Sequence, residues 1–426
     1  MRLRVRIVLV ALVLIVGLAV ARLVVELRAD DLGPDAPFAP TAQQIERGAY
    51  LARAGNCAAC HSARGAPPYS GGRGIETPFG TVYASNLTPD AETGIGRWSA
   101  GHFWRALHEG RSRDGHLLYP AFPYTNYTLV TREDSDAIFA YLRTLPAVAA
   151  PIRPHALRFP YDNQWALAAW RVLFFDRDTF AAEPKQSAEW NRGAYLVRGL
   201  GHCSACHGER NVFGATDEPL ALSGGIIPMA DWYAPSLASP EEAGVAGWTV
   251  NDVVALLGTG STPHASTTGP MAEVVARSLQ HLSEPDLRAI AIYLQSIPQA
   301  PARQRISSSG ADPAMLERGG VIYRKHCADC HGDDGKGTPG SWPALAGNRA
   351  ANMDSVANPI RLVLSGGYPP STAGNPRPYG MPPFAQTLND AEVAAVLTYV
   401  RASWGNTAAP VRSFDVARHR QGRVNY

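Results

Sequence analysis

Charge is scarce in this 426-residue chain. Asp, Glu, Lys and Arg make up 18% of it, below the roughly 25% of an ordinary soluble protein, and the two signs nearly cancel at a formal +2. That balance offers no basic face of the kind a nucleic-acid backbone requires. A phosphate-cradling Gly-X-Gly-X-X-Gly loop in a strand–helix setting is also missing. Gly71-Gly72-Arg73-Gly74 and Gly332-Asp333-Asp334-Gly335-Lys336-Gly337 read as tight loops, so no nicotinamide or flavin site is expected. Cysteine and methionine number six each, and no methionine lies between residues 44 and 187. What is plentiful is apolar material, at 46%, which excludes disorder as the main state. Glycine (40) and proline (34) are together more frequent than the roughly 12% of average proteins, which implies a loop-rich fold. At about 150 residues per domain the length suggests about three domains.

All six cysteines fall in three copies of Cys-X-X-Cys-His: Cys57-Ala58-Ala59-Cys60-His61, Cys203-Ser204-Ala205-Cys206-His207 and Cys327-Ala328-Asp329-Cys330-His331. None is left over for a structural disulfide. The pattern is the attachment signature of c-type haem. Two thiols add across the haem vinyl groups, and the adjacent histidine reaches the iron from the proximal side. A zinc site would want four ligands where each motif offers three, and a redox dithiol would not need the histidine three times over. Three covalently bound haem c groups are therefore expected, held by Cys57, Cys60, Cys203, Cys206, Cys327 and Cys330 and ligated by His61, His207 and His331.

The repeats extend beyond the motifs. A glycine-bearing amphipathic helix precedes each one, at Glu46-Arg47-Gly48-Ala49-Tyr50-Leu51, Asn191-Arg192-Gly193-Ala194-Tyr195-Leu196 and Glu317-Arg318-Gly319-Gly320-Val321-Ile322-Tyr323. A second helical pattern closes each unit, at Asp134–Thr144, Glu284–Ser296 and Asp390–Ser403, each opened by acidic residues. Two such helices beside a covalent haem resemble the cytochrome c fold. The expected class is all-α, with three tandem cytochrome c-type domains and an N-terminal hydrophobic helix. The expected bounds are 1–28 for an anchor or signal peptide, 29–43 for a linker and 44–150 for the first domain. A linker with an aromatic stretch follows at 151–187, then the second domain at 188–297, a linker at 298–312, the third domain at 313–405 and a polar, basic tail at 406–426. The aromatic stretch Trp165–Phe175 is expected to pack between the first two haem domains, as aromatic helical stripes usually join a core, with docking to a partner subunit or the bilayer surface as the alternative.

Arg2, Arg4 and Arg6 precede the apolar run Ile7–Ala21. Ala19-Val20-Ala21 would serve a signal peptidase, yet Leu23, Val24 and Val25 prolong the pattern, and Ile7–Leu27 would span a bilayer with Arg22 snorkelling near its outer end. The reading taken is an uncleaved inner-membrane anchor, with cleavage as the alternative. Both place the haem domains on the periplasmic side.

A thioether as sixth iron ligand raises the potential relative to bis-histidine. Met381, in Tyr379-Gly380-Met381-Pro382-Pro383-Phe384, and Met271, in Thr268-Gly269-Pro270-Met271-Ala272-Glu273, each lie between a motif and its closing helix and are expected in distal ligand loops. Met229, Met315 and Met353 are expected to be packing residues. The equivalent loop of the first domain reads Leu118-Tyr119-Pro120-Ala121-Phe122-Pro123-Tyr124, and Phe122 cannot bind iron. Its haem has another sixth ligand or none. His102, His108, His116 and a residue lent by a neighbouring domain are the candidates, while His155, His202, His281 and His326 read as surface or packing groups.

The region Glu46–Asn406 resembles the triheme cytochrome c subunit of membrane-bound bacterial dehydrogenases for alcohols, gluconate and aldehydes. The resemblance rests on Gly48-Ala49-Tyr50-Leu51, Ser85-Asn86-Leu87-Thr88-Pro89-Asp90 with Thr93-Gly94-Ile95-Gly96, Tyr119-Pro120-Ala121-Phe122-Pro123-Tyr124, Gly269-Pro270-Met271-Ala272-Glu273-Val274-Val275 and Ser403-Trp404-Gly405-Asn406. It implies a catalytic dehydrogenase subunit as partner and ubiquinone or a downstream cytochrome or oxidase as acceptor. It carries ligand roles to His61, His207, His331, Met271 and Met381. Alcohol-dehydrogenase-type members usually have methionine at Phe122, and the loop looks more like members that accompany molybdenum-containing hydroxylases or aldehyde oxidoreductases. The main expectation is an electron-transfer subunit, with substrate oxidation elsewhere. The alternative is a haem enzyme with peroxidase-like activity at an open first haem, although no acid–base constellation for peroxide cleavage is evident.

Overall fold

A computed structural model describes residues 2–28, 32, 38–216, 221–262, 265–300 and 310–421. Helix is the commonest element, at somewhat under half of the described residues, with two small antiparallel sheets that the all-α expectation did not include. The chain forms two compact units, Met1–Ala182 with Arg198–His202, and Glu183–Val197 with Cys203–Tyr426.

The first unit opens with α1 (Arg2–Leu27), whose segment Leu9–Leu27 is long and apolar enough to cross a membrane. Thr41 then starts α2 (Ala42–Ala54) through a capping box with Gln44. Strands β1 (Gly74–Thr77) and β2 (Gly80–Tyr83) form a hairpin joined by β3 (Ala156–Leu157). Helix α3 (Ala100–Glu109) starts at Ser99, and α4 (Arg132–Leu142) at Thr131. Part of the expected 151–187 linker is thus structured. Its aromatic stretch forms α5 (Gln164–Phe174), which packs on the last turns of α1, where Leu23 and Leu27 meet Leu117, Leu167 and Ala168. Arg171 of α5 is buried, bonds Glu26 at 2.7 Å, and stacks over Tyr124 and Phe175. The stretch therefore packs on the C-terminal end of α1, a different place from the one expected.

The second unit holds two more helix pairs. Helix α6 (Ala188–Ala194), continued by a π-turn over Tyr195–Leu200, packs on α8 (Glu284–Ser296). Helix α9 (Pro313–His326) packs on α10 (Asp390–Ala402). Between them lie β4 (Gly225–Ile227), β5 (Trp232–Ala234) and α7 (Gly269–Arg277). The second and third helix pairs share one unit: Asn358 bonds both backbone groups of Tyr233, at 2.8 and 2.9 Å, and Arg361 stacks on Trp232. The tail beyond residue 406 is ordered where described. It forms α11 (Ser413–Gln421), with Val411 and Val416 buried in the third core and Arg420 bonding Asp390 at 2.6 Å.

One crossing recurs three times. Gly48, Gly193 and Gly319 each lie against the backbone of the closing helix, so that a Cβ would fall on the carbonyl oxygen of Ala137, Ala289 or Ala395. Tyr141, Tyr293 and Tyr399 follow one turn later beside the same glycines. In the first two pairs an arginine next to the glycine bonds an aspartate in the first turn of the closing helix: Arg47 with Asp134 at 2.9 Å and Arg192 with Asp286 at 2.8 Å. Each crossing sets the helix that leads into a Cys-X-X-Cys-His motif.

Candidate haem sites

Each motif lies on a single helical turn directly after its leading helix, at Cys57–His61, Ser204–His207 and Ala328–His331. Spacings of three and four residues put both sulfurs and the ring on neighbouring positions of one turn. Burial pushes the Cys57 and Cys203 thiols up to about 12 and the Cys327 thiol up to about 11, with the second cysteine of each motif adding to the rise. As free thiols they would be protonated, unlike the low-pKa thiolates of redox catalysts. No disulfide joins any of the six.

The three histidines share one hydrogen-bond pattern. Nδ1 of His61 lies 2.7 Å from the Ser85 carbonyl, that of His207 2.7 Å from the Pro235 carbonyl, and that of His331 3.0 Å from the Pro343 carbonyl. A carbonyl only accepts, so Nδ1 donates and Nε2 is left with its lone pair. Burial lowers the pKa of each ring, partly offset by that hydrogen bond, which keeps the ring neutral. A neutral imidazole oriented through Nδ1–H to a backbone carbonyl is the arrangement metal-binding histidines adopt. The sequence reading missed the three acceptors. They were findable: each stands two residues before a leucine downstream of its motif, in Ser85-Asn86-Leu87, Pro235-Ser236-Leu237 and Pro343-Ala344-Leu345.

In the first unit Cys57, Cys60 and His61 open onto a cavity of about 1070 Å³. Its wall is mostly apolar, with Ile95, Phe103, Leu107, Val130, Ile138 and Leu142 among the lining side chains. That size is at the upper end of the roughly 300–1,000 Å³ typical of ligand pockets. Two thiols and an Nε2 lone pair at an apolar cavity fit a haem bonded to Cys57 and Cys60. Among the described residues no group of three or more His, Cys, Asp and Glu stands close enough to make a metal site from protein donors alone.

The methionines fall differently. Met381 lies in an extended loop before α10, paired with Gly367 by hydrogen bonds of 2.8 and 3.0 Å, and packs against the same core as Cys327 and Phe384. Met271 lies on the first turn of α7, half-buried, with Pro270 before it and Gly269 pressed against Trp232. The expected loop is thus a helix start, because Pro270 sets the first helical turn. Met315 and Met353 pack in the third core region, whereas Met229 is exposed at a left-handed φ of 59° and packs little. Phe122 lines the first cavity, with its ring 5.3 Å from that of Tyr127. Of the histidine candidates, His102 and His116 line the cavity. His108 instead stacks on Trp104 and bonds the Thr128 carbonyl at 2.9 Å.

The cytochrome c family matches residues 45–146 and 316–404, the regions of the first and third helix pairs. The chain is 37% identical over 392 residues to the cytochrome c subunit of alcohol dehydrogenase (quinone) from Gluconobacter oxydans (strain 621H), covering 88% of this chain and 82% of that one. It belongs to the cytochrome c subunits of dehydrogenases. A second member, the gluconate 2-dehydrogenase cytochrome c subunit of Pantoea cypripedii, is 38% identical over 88% of this chain and 89% of its own. A third, the fructose dehydrogenase cytochrome subunit of Gluconobacter japonicus, is 34% identical over 89% of this chain and 83% of its own. Cytochrome c domains carry covalently bound haem c, and dehydrogenase cytochrome subunits receive electrons from a dehydrogenase. Both statements hold for this family.

Proposed function

We propose that the chain is a three-haem relay that drains electrons from a catalytic dehydrogenase subunit of the alcohol, aldehyde or molybdenum-hydroxylase type and passes them to ubiquinone or the respiratory chain. The observation that carries this reading is the threefold recurrence of one assembly: a glycine-crossed helix pair, a Cys-X-X-Cys-His turn, and a histidine whose Nδ1–H is held by a backbone carbonyl. The middle copy has all three parts although the family match covers only the outer two. When bound, haem supplies one-electron chemistry.

The chain's own residues do the rest. The cysteine pairs would hold each haem covalently, His61, His207 and His331 would offer Nε2 to its iron, and Met271 and Met381 would supply a sulfur donor. The apolar wall of the first cavity would exclude water and so help set the potential there. Helix α1 anchors the chain in the inner membrane, and the haem domains stand on the periplasmic side, where c-type haem is attached. Support for an uncleaved anchor comes from its last turns, which are built into the first unit through Leu23, Glu26 and Leu27.

The test is to purify the tagged chain in detergent from its native membrane. A dehydrogenase subunit should co-purify, and its substrate should reduce the haems, with a quinone reoxidising them. A chain that purifies alone, with haems that no membrane dehydrogenase activity reduces, overturns the relay.

A further inference from the structure

Resting on a haem bonded at Cys57 and Cys60, we propose that His116 is the sixth ligand of that haem. Five histidines line the first cavity: His61, His102, His116, His155 and His202. The position of the proton on each ring sorts them. Nδ1 of His102 accepts from the backbone N–H of Ser99 at 3.2 Å, and Nδ1 of His155 accepts from that of Tyr83 at 3.1 Å. A backbone N–H only donates, so both neutral rings carry their proton on Nε2 and offer iron no lone pair there. His61 has the opposite tautomer and is the proximal ligand.

His116 and His202 share the tautomer of His61. His202 points Nδ1 to the Leu200 carbonyl at 3.1 Å and lies 3.4 Å from the Tyr127 hydroxyl. That hydroxyl is 3.3 Å from the Gly55 carbonyl, two residues before Cys57. His202 is therefore tied to the chain that leads into Cys57, whereas a sixth ligand would have to come from a wall that does not carry the motif. His116 is on loop 110–123, the wall that carries Phe122 and corresponds to the Met381 loop of the third repeat. Its Nδ1 lies 2.7 Å from the Asp114 carboxylate, which puts the proton on Nδ1 and leaves Nε2 with its lone pair. The carboxylate–histidine pair is the stronger version of the proximal carbonyl contact.

The loop holds His116 in place from both sides. Ser112 N–H bonds the His116 carbonyl at 2.9 Å, the next residue's N–H bonds Gln164 at 2.7 Å, and Leu118 N–H bonds the Gly110 carbonyl at 2.8 Å. The ring lines the cavity and its side chain is 67% exposed. Phe122 gives the loop no donor atom, and His116 supplies one. Bis-imidazole ligation would make this the low-potential haem of the chain, since sulfur ligation raises the potential of the others.

The test uses the full exported chain with its haems. Reduced wild type should bind no carbon monoxide, and its ferric spectrum should be wholly low-spin with a bis-histidine component. His116→Ala should keep all covalent haem on a denaturing haem-stained gel, turn one haem in three high-spin and bind one equivalent of carbon monoxide. His116→Met, which restores a donor, should return that haem to low spin at a higher midpoint potential, and it serves if the alanine variant does not fold. Carbon monoxide binding by wild type, an unaltered spectrum in His116→Ala, or the same opening produced by His202→Ala alone would overturn the assignment. A wild-type chain with no haem at Cys57 and Cys60 overturns the three-haem reading itself, and the gel tells that outcome from the others.

Discussion

Gly48 and Ala137 meet without room for a side chain: a Cβ on Gly48 would fall on the Ala137 carbonyl oxygen. The same contact, Gly193 with Ala289 and Gly319 with Ala395, fixes each motif-bearing helix on its closing helix. Overpacking typically costs about 1–3 kcal/mol, and more where the obstacle is backbone. Gly48→Ala is expected to lower the stability of the first domain by at least that range and to reduce haem at Cys57 and Cys60, while the other two sites keep theirs. Haem per chain, site by site after proteolysis, checks it. Full occupancy at the first site with an unchanged melting temperature would contradict it.

The Arg47–Asp134 bond locks the same crossing from the polar side. The Asp134 side chain is 2% exposed and lies in the first turn of α4. Removing a partner from a hydrogen bond to a charged group costs about 1.5–3 kcal/mol. Asp134→Ala should destabilise the first domain by that amount and Asp286→Ala should act likewise on the second, each measured by denaturant unfolding followed at the haem bands.

Arg171 is 1% exposed and draws its charge partner, Glu26, from the end of the membrane-length helix. Removing one partner of a buried ion pair typically costs about 3–5 kcal/mol. Glu26→Ala should therefore loosen the junction of α1 and α5, read as faster proteolysis near residue 28. Proteolysis at the wild-type rate would show that the pair does not hold the end of α1.

Met381 packs with Cys327 in the third core, and its sulfur is the one proposed for the third iron. Met381→Ala should open one haem to carbon monoxide and lower one midpoint potential, and Met381→His should lower the potential without opening the site. Potentiometric titration with a carbon monoxide difference spectrum reads both effects.

His108 is held neutral by burial, which pushes its pKa below the ordinary value. The Thr128 carbonyl, Glu109 and Asp178 oppose that shift in part, and Arg177 adds to it. A native pKa below the unfolded value means that the unfolded chain takes up the proton first as pH falls. The stability from this group is full above about pH 6.5 and is lost as pH drops through that value towards the native pKa. His108→Gln should flatten the fall in melting temperature between about pH 7 and 5. An unchanged slope would contradict it.

Much of this architecture was legible because it repeats. The glycine helices and closing helices were readable from period and caps: Glu284–Ser296 has the bounds expected, and the first closing helix starts two residues before Asp134. The small strands were not legible, since β1 and β2 have four residues each, too few for a period-two pattern. Helix α11 was missed because its sequence, Ser-Phe-Asp-Val-Ala-Arg-His-Arg-Gln, has one strongly buried apolar residue, Val416. Met271 and Met381 looked alike in order along the chain, and Pro270 makes one a helix start. The carbonyls that orient the proximal histidines escaped notice because backbone acceptors have no residue type. The tautomers that separate His116 from His102 and His155 depend on which backbone group faces each ring, which only three-dimensional placement supplies.

The most direct test of the whole account is the intact mass of the denatured chain, exported by a host that attaches c-type haem. The account requires the polypeptide plus three haem masses, falling by one in each of the paired variants Cys57→Ala/Cys60→Ala, Cys203→Ala/Cys206→Ala and Cys327→Ala/Cys330→Ala. The bare polypeptide mass, or a count that the middle pair does not change, would contradict it.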